Sequence, residues 1–242
     1  MLPLELKNDD NGLLYTDDID LIRQRPLNLD NRSFENERYY SNEFFPLKST
    51  EDYILKFSTT VFTRREAKKI KEMLDILVRK QKDISNVDFP VGYYVFKKKI
   101  CGLIVPYYKN GISCDHIFNH RDIEELGKYY SHDEDNLHNI TLLLYDLLDL
   151  IYEMYENGIY YSDMNPGNII ITDNQIKLID FDYRFVTFND KDIKLRNIMS
   201  CYRWLLNYII DKYKLGDTIY YRPIDFEDAK HYTKKLENSL RK

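Results

Sequence analysis

One stretch, residues 161–182, constrains the fold of this 242-residue chain more than any other. It contains a cluster of turn-forming residues, Asn-Pro-Gly at 165–167. Two runs rich in isoleucine follow at 169–171 and 175–179, and Thr-Asp-Asn at 172–174 separates them. Short β-prone runs joined by turn-forming residues are typical of a hairpin. The pattern therefore predicts a loop followed by an antiparallel β-hairpin.

The register of this hairpin decides which side chains meet. If Ile171 faces Ile176, the returning strand brings Asp180 to the side of Asn168, and Asp163 lies in the loop just before. We therefore expect three oxygen-bearing side chains, one amide and two carboxylates, to converge at one end of the hairpin.

This combination of side chains points to a particular chemistry. Two carboxylates that lie close together repel each other unless a cation joins them. An amide oxygen and a carboxylate, here Asn168 and Asp180, suit Mg²⁺, which takes its remaining ligands from water and phosphate. The remaining carboxylate, Asp163, can orient a hydroxyl nucleophile or accept its proton. Phosphoryl transfer needs this division of roles, because its catalysis is mostly positioning and charge neutralisation.

The same residues resemble the catalytic and metal-binding loops of the protein-kinase-like superfamily. Asp163 and Asn168 keep an Asp-x₄-Asn spacing, and Asp-Phe-Asp at 180–182 stands where protein kinases carry Asp-Phe-Gly. The sequence of residues 163–168, Asp-Met-Asn-Pro-Gly-Asn, is also similar to the corresponding loop of aminoglycoside-phosphotransferase-like and atypical bacterial kinases. The resemblance implies ATP and Mg²⁺ as cofactors, with Asp163 catalytic and Asn168 and Asp180 holding the metal.

In this superfamily a strand lysine positions the ATP phosphates and pairs with a helix glutamate. Tyr-Ile-Leu-Lys at 53–56 resembles the Val-Ala-Ile-Lys strand, which makes Lys56 the candidate lysine. Thr63 and Glu66 form a capping-box pattern that opens a helix running to about Lys80. Glu66 shares a helix stripe with the apolar residues and is the preferred partner of Lys56; Glu72 is the alternative.

The resemblance also implies a hinge that contacts adenine. The strand 100–105 leads into Pro106, Tyr107 and Tyr108, whose backbone groups would meet the adenine ring. The glycine-rich phosphate loop is missing, because the only glycine between residues 1 and 90 is Gly12. A turn that covers the phosphates would then come from a non-glycine hairpin within 34–48, or be absent.

Further departures from the family pattern concern recognition of the phosphate acceptor rather than binding of the nucleotide. Asn165 stands where Ser/Thr protein kinases carry a lysine, and the His-Arg-Asp triplet reads Tyr-Ser-Asp at 161–163. No Ala-Pro-Glu motif follows Asp182, and helical sequence begins within about ten residues. We therefore expect no long activation segment switched by phosphorylation.

The predicted fold class is α+β: a two-lobed, protein-kinase-like fold with a small sheet-plus-helix N-lobe and a mainly helical C-lobe. We expect residues 1–106 to form the N-lobe, with 1–45 left unassigned, and residues 107–242 to form the C-lobe with the catalytic and metal-binding loops. The remaining predicted elements are a hairpin of strands 93–97 and 100–107 turned at Lys98-Lys99, and helices at 134–157, 191–214 and 225–241.

Composition excludes several other classes. Lys plus Arg number 35 and Asp plus Glu number 40, so the net charge of −5 disfavours non-specific nucleic-acid binding. No run of about 18 apolar residues predicts a membrane span, and the N-terminus lacks the pattern of a secretory signal. The three cysteines form no Cys-x-x-Cys pair and are expected to be reduced thiols. We expect an intracellular, cytoplasmic protein.

Other interpretations of the same residues remain open. Asp163, Asn168 and Asp180 could be turn-forming residues around a hairpin with no chemical role. Asp-Phe-Asp at 180–182 could be the Asp-x-Asp metal motif of a nucleotide-sugar transferase, although that leaves Asp163 and Asn168 unexplained. His116 and His120 have the spacing of zinc ligands on a helix, but no third ligand is evident.

The function expected from these patterns is ATP-dependent transfer of the γ-phosphoryl group to a hydroxyl, by a serine/threonine-protein kinase acting on a protein substrate. One alternative is a small-molecule kinase of the aminoglycoside or choline type. Another is a pseudokinase that acts as a binding module, which the absent glycine loop motivates.

Overall fold

The computed structural model forms two compact units, Met1–Lys109 and Asn110–Lys242. The α+β class predicted from the sequence is confirmed, with a sheet and a helix in the first unit and mainly helices in the second. The assignment of these units as an ATP-binding lobe and a catalytic lobe stays a prediction. The structure describes residues 6–10, 13–16, 42–47, 51–58, 62–84, 87–96, 98–120, 123–133, 135–189, 199–214, 223 and 225–240.

Within its described residues, the N-terminal unit combines one sheet with one helix. In chain order its elements are β1 Lys7–Asn8, β2 Leu14–Thr16, β3 Asn42–Pro46, β4 Tyr53–Ser58, α1 Arg64–Lys80, β5 Gly92–Phe96 and β6 Lys99–Pro106. The strands pair in the spatial order β1-β2-β5-β6-β4-β3. All neighbours are antiparallel except β2 and β5, which run parallel.

Helix α1 begins where its capping box predicts. The Thr63 hydroxyl oxygen accepts a hydrogen bond from the Glu66 N–H at 3.3 Å, and Glu66 Oε2 accepts one from the Thr63 N–H at 2.8 Å. The two residues thus satisfy backbone donors that the first helical turn leaves unpaired. The apolar stripe predicted to face the core is confirmed as buried: Ile70, Met73, Leu74 and Leu77.

Strand β4 lies inside the sheet and carries Lys56. The lysine is opposite Phe44 of β3 and opposite Leu103 of β6. The predicted hairpin of β5 and β6 is present, but Phe96 pairs with Lys99, so its turn comes one residue earlier than predicted. The core of the sheet is a cluster of buried residues: Phe45, Leu47, Leu55, Tyr94, Cys101 and Ile104.

A short N-terminal ribbon extends the sheet. Leu14 pairs with Gly92, where a Cβ atom would overlap the Leu14 carbonyl oxygen, so only glycine fits this approach. Asp9 ties the ribbon to the unit, because its Oδ2 accepts a hydrogen bond from the Tyr93 hydroxyl at 2.7 Å and lies 3.4 Å from Lys71 Nζ. Helix α1, which carries Lys71, is thereby linked to the N-terminal residues.

The C-terminal unit contains, among its described residues, two small antiparallel sheets and several helices. The elements are β7 Ile112–Ser113, α2 Cys114–His120, a 3₁₀ helix Ile123–Lys128, α3 Asn136–Glu156, β8 Ile159–Tyr161, a 3₁₀ helix Pro166–Asn168, β9 Ile169–Thr172, β10 Gln175–Leu178, β11 Val186–Phe188, α4 Ser200–Tyr213 and α5 Phe226–Leu240. The strand orders of the two sheets are β10-β9-β7 and β11-β8.

Helices α4 and α5 and the 3₁₀ helix Ile123–Lys128 pack against α3. Asp135 caps α3 by accepting a hydrogen bond from the Leu137 N–H at 2.9 Å, and Gly158 follows its end with a φ of 66°. Helices α4 and α5 correspond to the helices predicted at 191–214 and 225–241; residues 191–198 lie outside the described part. No described helix has the length and apolar character needed to cross a membrane.

The capping box of α1 supports a test of local stability. Thr63→Ala removes the hydroxyl that accepts from Glu66, and we expect it to lower the free energy of unfolding by about 1 kcal/mol. Thr63→Ser keeps the hydroxyl and should stay within about 0.5 kcal/mol of the wild type. Urea unfolding followed by circular dichroism measures both. An alanine variant as stable as the serine variant would contradict the capping role.

Candidate active site

The hairpin of β9 and β10 has the register predicted from the sequence. Ile171 pairs with Ile176. One step further along the ribbon, the Ile179 N–H donates to the Asn168 carbonyl oxygen at 2.9 Å. This bond fixes the backbone of Asp180 beside that of Asn168.

A second ribbon, β8 paired with β11, holds the other side of the loop. Tyr161, the last residue of β8, pairs with Val186 at the start of β11. The Ser162 N–H donates to the Phe185 carbonyl oxygen at 2.9 Å, and the Ser162 hydroxyl donates to the same oxygen at 3.1 Å. Asp163 is therefore anchored two residues after the end of β8 and directly after the doubly bonded Ser162.

The loop between the ribbons is held by its own asparagines. Asn165 Oδ1 accepts from the Gly167 N–H at 3.0 Å, and Asn165 Nδ2 donates to the Asp163 carbonyl oxygen at 3.1 Å. Asn168, which is 8% exposed, donates from Nδ2 to the same carbonyl oxygen at 2.9 Å. Asn168 Nδ2 also lies 3.5 Å from Asp163 Oδ2. Asp163 and Asn168 are thus direct neighbours.

Sequence reasoning missed the residue that joins this pair to Asp180. The Tyr161 hydroxyl accepts a hydrogen bond from Asn168 Nδ2 at 2.9 Å and lies 3.1 Å from the Asp180 carbonyl oxygen, to which it donates. The one available signal was its position in the Tyr-Ser-Asp triplet, two residues before Asp163. The Tyr161 hydroxyl therefore links the Asn168 side chain to the backbone of Asp180, and the convergence of the three side chains stays a prediction.

The backbone around Asp180 is unusual. Its φ of 67° lies in the left-handed region, which few residues other than glycine, asparagine and aspartate adopt. Just beyond, Asp182 accepts three hydrogen bonds from Arg184, one from its N–H and two from its guanidinium group at 3.0 and 2.7 Å. Asp182, the third residue of the Asp-Phe-Asp motif, thus closes a tight local turn.

The Asp163 carboxyl group has a pKa raised above its ordinary value. Burial is the largest cause, and the neighbouring carboxylates of Asp180 and Asp182 raise the pKa further. Hydrogen bonds from Asn165 and Asn168 act in the opposite direction and lower it. A raised pKa makes this carboxylate more basic, which suits a group that accepts a proton from a hydroxyl.

Ligands for a metal ion can be assessed by their chemistry. Asn168 uses Nδ2 for hydrogen bonds within the loop, so Oδ1 is the atom that this amide offers to a ligand, and Asp180 offers a carboxylate. An amide oxygen with a carboxylate fits Mg²⁺. No group of three or more His, Cys, Asp or Glu residues is placed to hold a metal ion in the described part of the chain. His116, considered above as a zinc ligand, therefore belongs to no such group.

In the N-terminal unit, the structure locates the lysine and both glutamates. Lys56 is half-buried on β4. Glu66 uses Oε2 in the cap of α1, and Glu72 forms an exposed ion pair with Lys68 at 3.6 Å. The pairing of Lys56 with Glu66 stays a prediction. The stretch 34–48, considered for a phosphate-covering turn, is described only at 42–47.

Of the residues predicted to form the hinge, Pro106 is the last residue of β6, and Tyr107 and Tyr108 follow it. The Tyr107 N–H donates to the Asp52 carbonyl oxygen at 2.8 Å, which continues the pairing with the neighbouring strand. The Tyr108 hydroxyl donates to Asp88 at 2.8 Å, and burial raises its pKa. Adenine binding by Pro106–Tyr108 stays a prediction, and it would have to use backbone groups other than the Tyr107 N–H.

Comparison with known proteins gives one curated relative. The chain is 31% identical over 131 residues to "Putative serine/threonine-protein kinase R436" of Acanthamoeba polyphaga mimivirus. The match spans 49% of this chain and 44% of the relative, so less than half of that protein is represented. The resemblance to the protein-kinase-like superfamily is confirmed by this relative. No protein-family model matches the chain.

A similar solved structure is the crystal structure of an Stt7 homologue from Micromonas algae that was soaked with ATP. It has a TM-score of 0.44 and 16% sequence identity, and it covers 57% of this chain and 44% of that chain.

The raised pKa of Asp163 predicts a gain in stability when its charge is removed. Because the folded state disfavours the charged form, Asp163→Asn should raise the melting temperature at pH 7 by about 1–2 °C, which is well under 1 kcal/mol for a half-buried group. The gain should shrink as the pH falls through the folded-state pKa and vanish below the ordinary value of 3.8.

Thermal unfolding followed from about pH 3.5 to about pH 8 measures this dependence. Asp173→Asn is the matched control, because Asp173 is an exposed turn residue of the same unit. A gain from Asp163→Asn that grows on acidification would show that the sign of the pKa shift is wrong.

Proposed function

Because the chain resembles the protein-kinase-like superfamily, we propose that it is an ATP-dependent phosphotransferase that moves the γ-phosphoryl group to a hydroxyl. The observation that carries this proposal is the linkage of Asp163, Asn168 and Asp180 through the Tyr161 hydroxyl and the β9–β10 register. A turn with no chemical role would not require a buried amide between two carboxylate residues. The acceptor we propose is a protein serine or threonine.

The proposed roles follow from the chemistry of each group. Asp163 orients the acceptor hydroxyl and takes its proton, which its raised pKa supports. Asn168 Oδ1 and the Asp180 carboxylate would hold Mg²⁺. A bound Mg²⁺ ion neutralises charge on the phosphate oxygens and aligns them for transfer. Lys56 would contact the α- and β-phosphates and Glu66 would hold Lys56, roles that the resemblance alone supports.

A small-molecule kinase of the aminoglycoside or choline type is the second candidate. Asn165, which stands in place of a lysine, is used inside the loop as a cap and as a donor to the Asp163 carbonyl. The loop therefore lacks, at this position, the basic group that Ser/Thr protein kinases carry. A pseudokinase that serves as a binding module is the third candidate, motivated by the absent glycine loop.

We expect matched Asp→Asn substitutions to separate the catalytic site from the rest of the unit. Asp163→Asn removes the base and should lower the rate of phosphate transfer by about 10²- to 10⁴-fold. Asp180→Asn removes a metal ligand and should lower it at least as far. Asp173→Asn should leave the rate within about twofold, because asparagine also tolerates the left-handed φ of 49°.

Transfer is measured with γ-labelled ATP and a cell lysate, and the products are separated by gel and by thin-layer chromatography. Label on protein supports the protein kinase, and label on a small metabolite supports the second candidate. Full activity of either site variant would overturn the proposed roles of these carboxylates.

Binding of Mg-ATP should be detectable as an increase in the stability of the folded protein. At about 100 times its dissociation constant, Mg-ATP should add roughly 2.7 kcal/mol to the free energy of unfolding. ATP without Mg²⁺ should add clearly less, because Asn168 and Asp180 then lack their ion. Differential scanning fluorimetry measures the shift. No shift with Mg-ATP would contradict the kinase proposal and favour the binding module.

A further inference from the structure

Arg184 is an exposed cation with a fixed orientation. Its side chain is 63% exposed, and its Nε and Nη2 groups donate to the two carboxylate oxygens of Asp182 at 3.0 and 2.7 Å. Two parallel bonds of this kind fix the plane and the direction of a guanidinium group. The guanidinium group carries further N–H donors, on Nη1 and Nη2, that this pairing does not use. Arg184 can therefore bind a second anion without leaving Asp182.

The turn at Asp182 does not need the guanidinium group for its own closure. The Arg184 backbone N–H donates to Asp182 Oδ1 at 2.9 Å, and the N–H groups of Phe185 and Val186 donate to the Asp182 carbonyl oxygen at 2.9 and 3.2 Å. These bonds do not depend on which side chain follows the backbone N–H at position 184. An exposed ion pair adds little to stability. The Arg184 side chain is therefore better explained by a role outside the turn.

The charge of Arg184 lies close to both carboxylates of the proposed chemistry. The hydrogen bonds to Asp182 raise the Arg184 pKa most, and the charge of Asp180 raises it further. The Asp182 charge is also one of the causes, after burial, that raise the Asp163 pKa. The guanidinium group thus lies in the field of the proposed metal ligand and is paired with a carboxylate that acts on the proposed base. Its raised pKa keeps it protonated at any working pH.

The segment that carries the candidate site has little positive charge of its own. Between residues 158 and 189 the sequence contains two basic residues, Lys177 and Arg184. Lys177 lies within β10, opposite Ile170 of β9, and so belongs to the ribbon rather than to the loop. Asn165 adds no charge, and the aspartates at 163, 180 and 182 are negative. A phosphoryl group in transfer spreads negative charge over its oxygens. Arg184 is the side chain of this loop that can neutralise such charge.

We propose that the Arg184 guanidinium group donates hydrogen bonds to the phosphoryl group as it is transferred, and that Asp182 orients it for this contact. This inference rests on the proposed function. In that reaction the acceptor oxygen forms a bond to the γ-phosphorus, and the bond from this phosphorus to the β,γ-bridging oxygen breaks. ADP leaves with the electron pair, and Asp163 takes the acceptor proton and later releases it to water. Arg184 keeps its own proton and stabilises the negative charge on the phosphoryl oxygens.

An arginine of the N-terminal unit provides a matched control. Arg79 donates from Nε to the Asp75 carbonyl oxygen at 3.0 Å and from Nη2 to the Asp75 carboxylate at 2.6 Å, and its side chain is 69% exposed. Both residues belong to α1, and neither is a candidate site residue. Arg79→Met therefore removes an exposed arginine that is paired with an aspartate in a similar way, but at another place.

The first experiment compares Arg184→Met, Arg184→Lys and Arg79→Met with the wild type. Transfer from γ-labelled ATP is measured to lysate acceptors and to water, because hydrolysis needs no other acceptor. Arg184→Met should lower both rates at saturating ATP by about 10²- to 10³-fold. The ATP concentration for half-maximal rate should stay within about threefold, because the contact forms only during transfer. Arg184→Lys keeps the charge without the paired bonds and should lose about tenfold, and Arg79→Met should stay within about twofold.

The second experiment measures binding without turnover. Isothermal titration calorimetry gives the affinity for ADP with Mg²⁺, in the absence and in the presence of aluminium fluoride, which mimics the phosphoryl group in transfer. Arg184→Met should bind Mg-ADP within about twofold of the wild type. With aluminium fluoride it should bind at least about tenfold more weakly than the wild type, because only the mimic presents the oxygen-like ligands that Arg184 would contact.

The possible results are distinguishable. A wild type that neither binds Mg-ADP nor transfers label would overturn the proposed function and this inference with it. An active wild type, with Arg184→Met equal to Arg79→Met in both experiments, would overturn the inference alone. Loss of transfer to lysate acceptors with unchanged hydrolysis would assign Arg184 to an acidic group of the acceptor, and this too would overturn the inference.

A measurement on the wild type covers the case in which the Arg184 variants do not fold. Phenylglyoxal modifies exposed arginines, and mass spectrometry of the peptides follows Arg184 and Arg79 separately. A saturating complex of Mg-ADP with aluminium fluoride should slow the modification of Arg184 by about tenfold or more, whereas Mg-ADP alone should not. Arg79 should react equally in every case. Equal reactivity of Arg184 with and without aluminium fluoride would overturn the inference.

Discussion

The register of the β9–β10 hairpin is the constraint on which the rest of the candidate site depends. Ile171 opposite Ile176 places the Ile179 N–H on the Asn168 carbonyl oxygen, and the chain then enters Asp180. A slip of one residue would turn every side chain of the strand to the opposite face. Because Ile171 and Ile176 are both buried, such a slip would expose apolar surface, so core packing also fixes the site.

Local rules explain what the sequence alone could predict. The hairpin register, the capping box at Thr63 and the end of α3 just before Gly158 each depend on residues that lie a few positions apart. The pairing of β2 with β5 and of β8 with β11 joins segments that are distant along the chain, and no periodicity encodes such pairings. The role of Tyr161 escaped prediction for the same reason, since its hydroxyl acts on a carbonyl group 19 residues away.

The site also concentrates features that cost stability. Asp163 has a raised pKa, Asn168 is a buried amide, and Asp180 has a left-handed backbone. Left-handed residues also occur in the turn at Asp173 and Asn174, but there they are exposed and match a common hairpin turn type. At Asp180 the strain has no such local explanation. Unfavourable features that coincide in one loop are typical of sites kept for chemistry rather than for folding.

The segment after Asp180 is held as closely as the hairpin before it. Asp182 accepts hydrogen bonds from the backbone of Phe185 at 2.9 Å and of Val186 at 3.2 Å, and its side chain binds Arg184. The chain therefore rejoins β8 only six residues after the proposed metal ligand. A glycine at position 182 would allow the backbone more freedom, whereas aspartate with Arg184 removes it. Residues 180–188 are thus ordered by their own hydrogen bonds, without the help of a phosphate group.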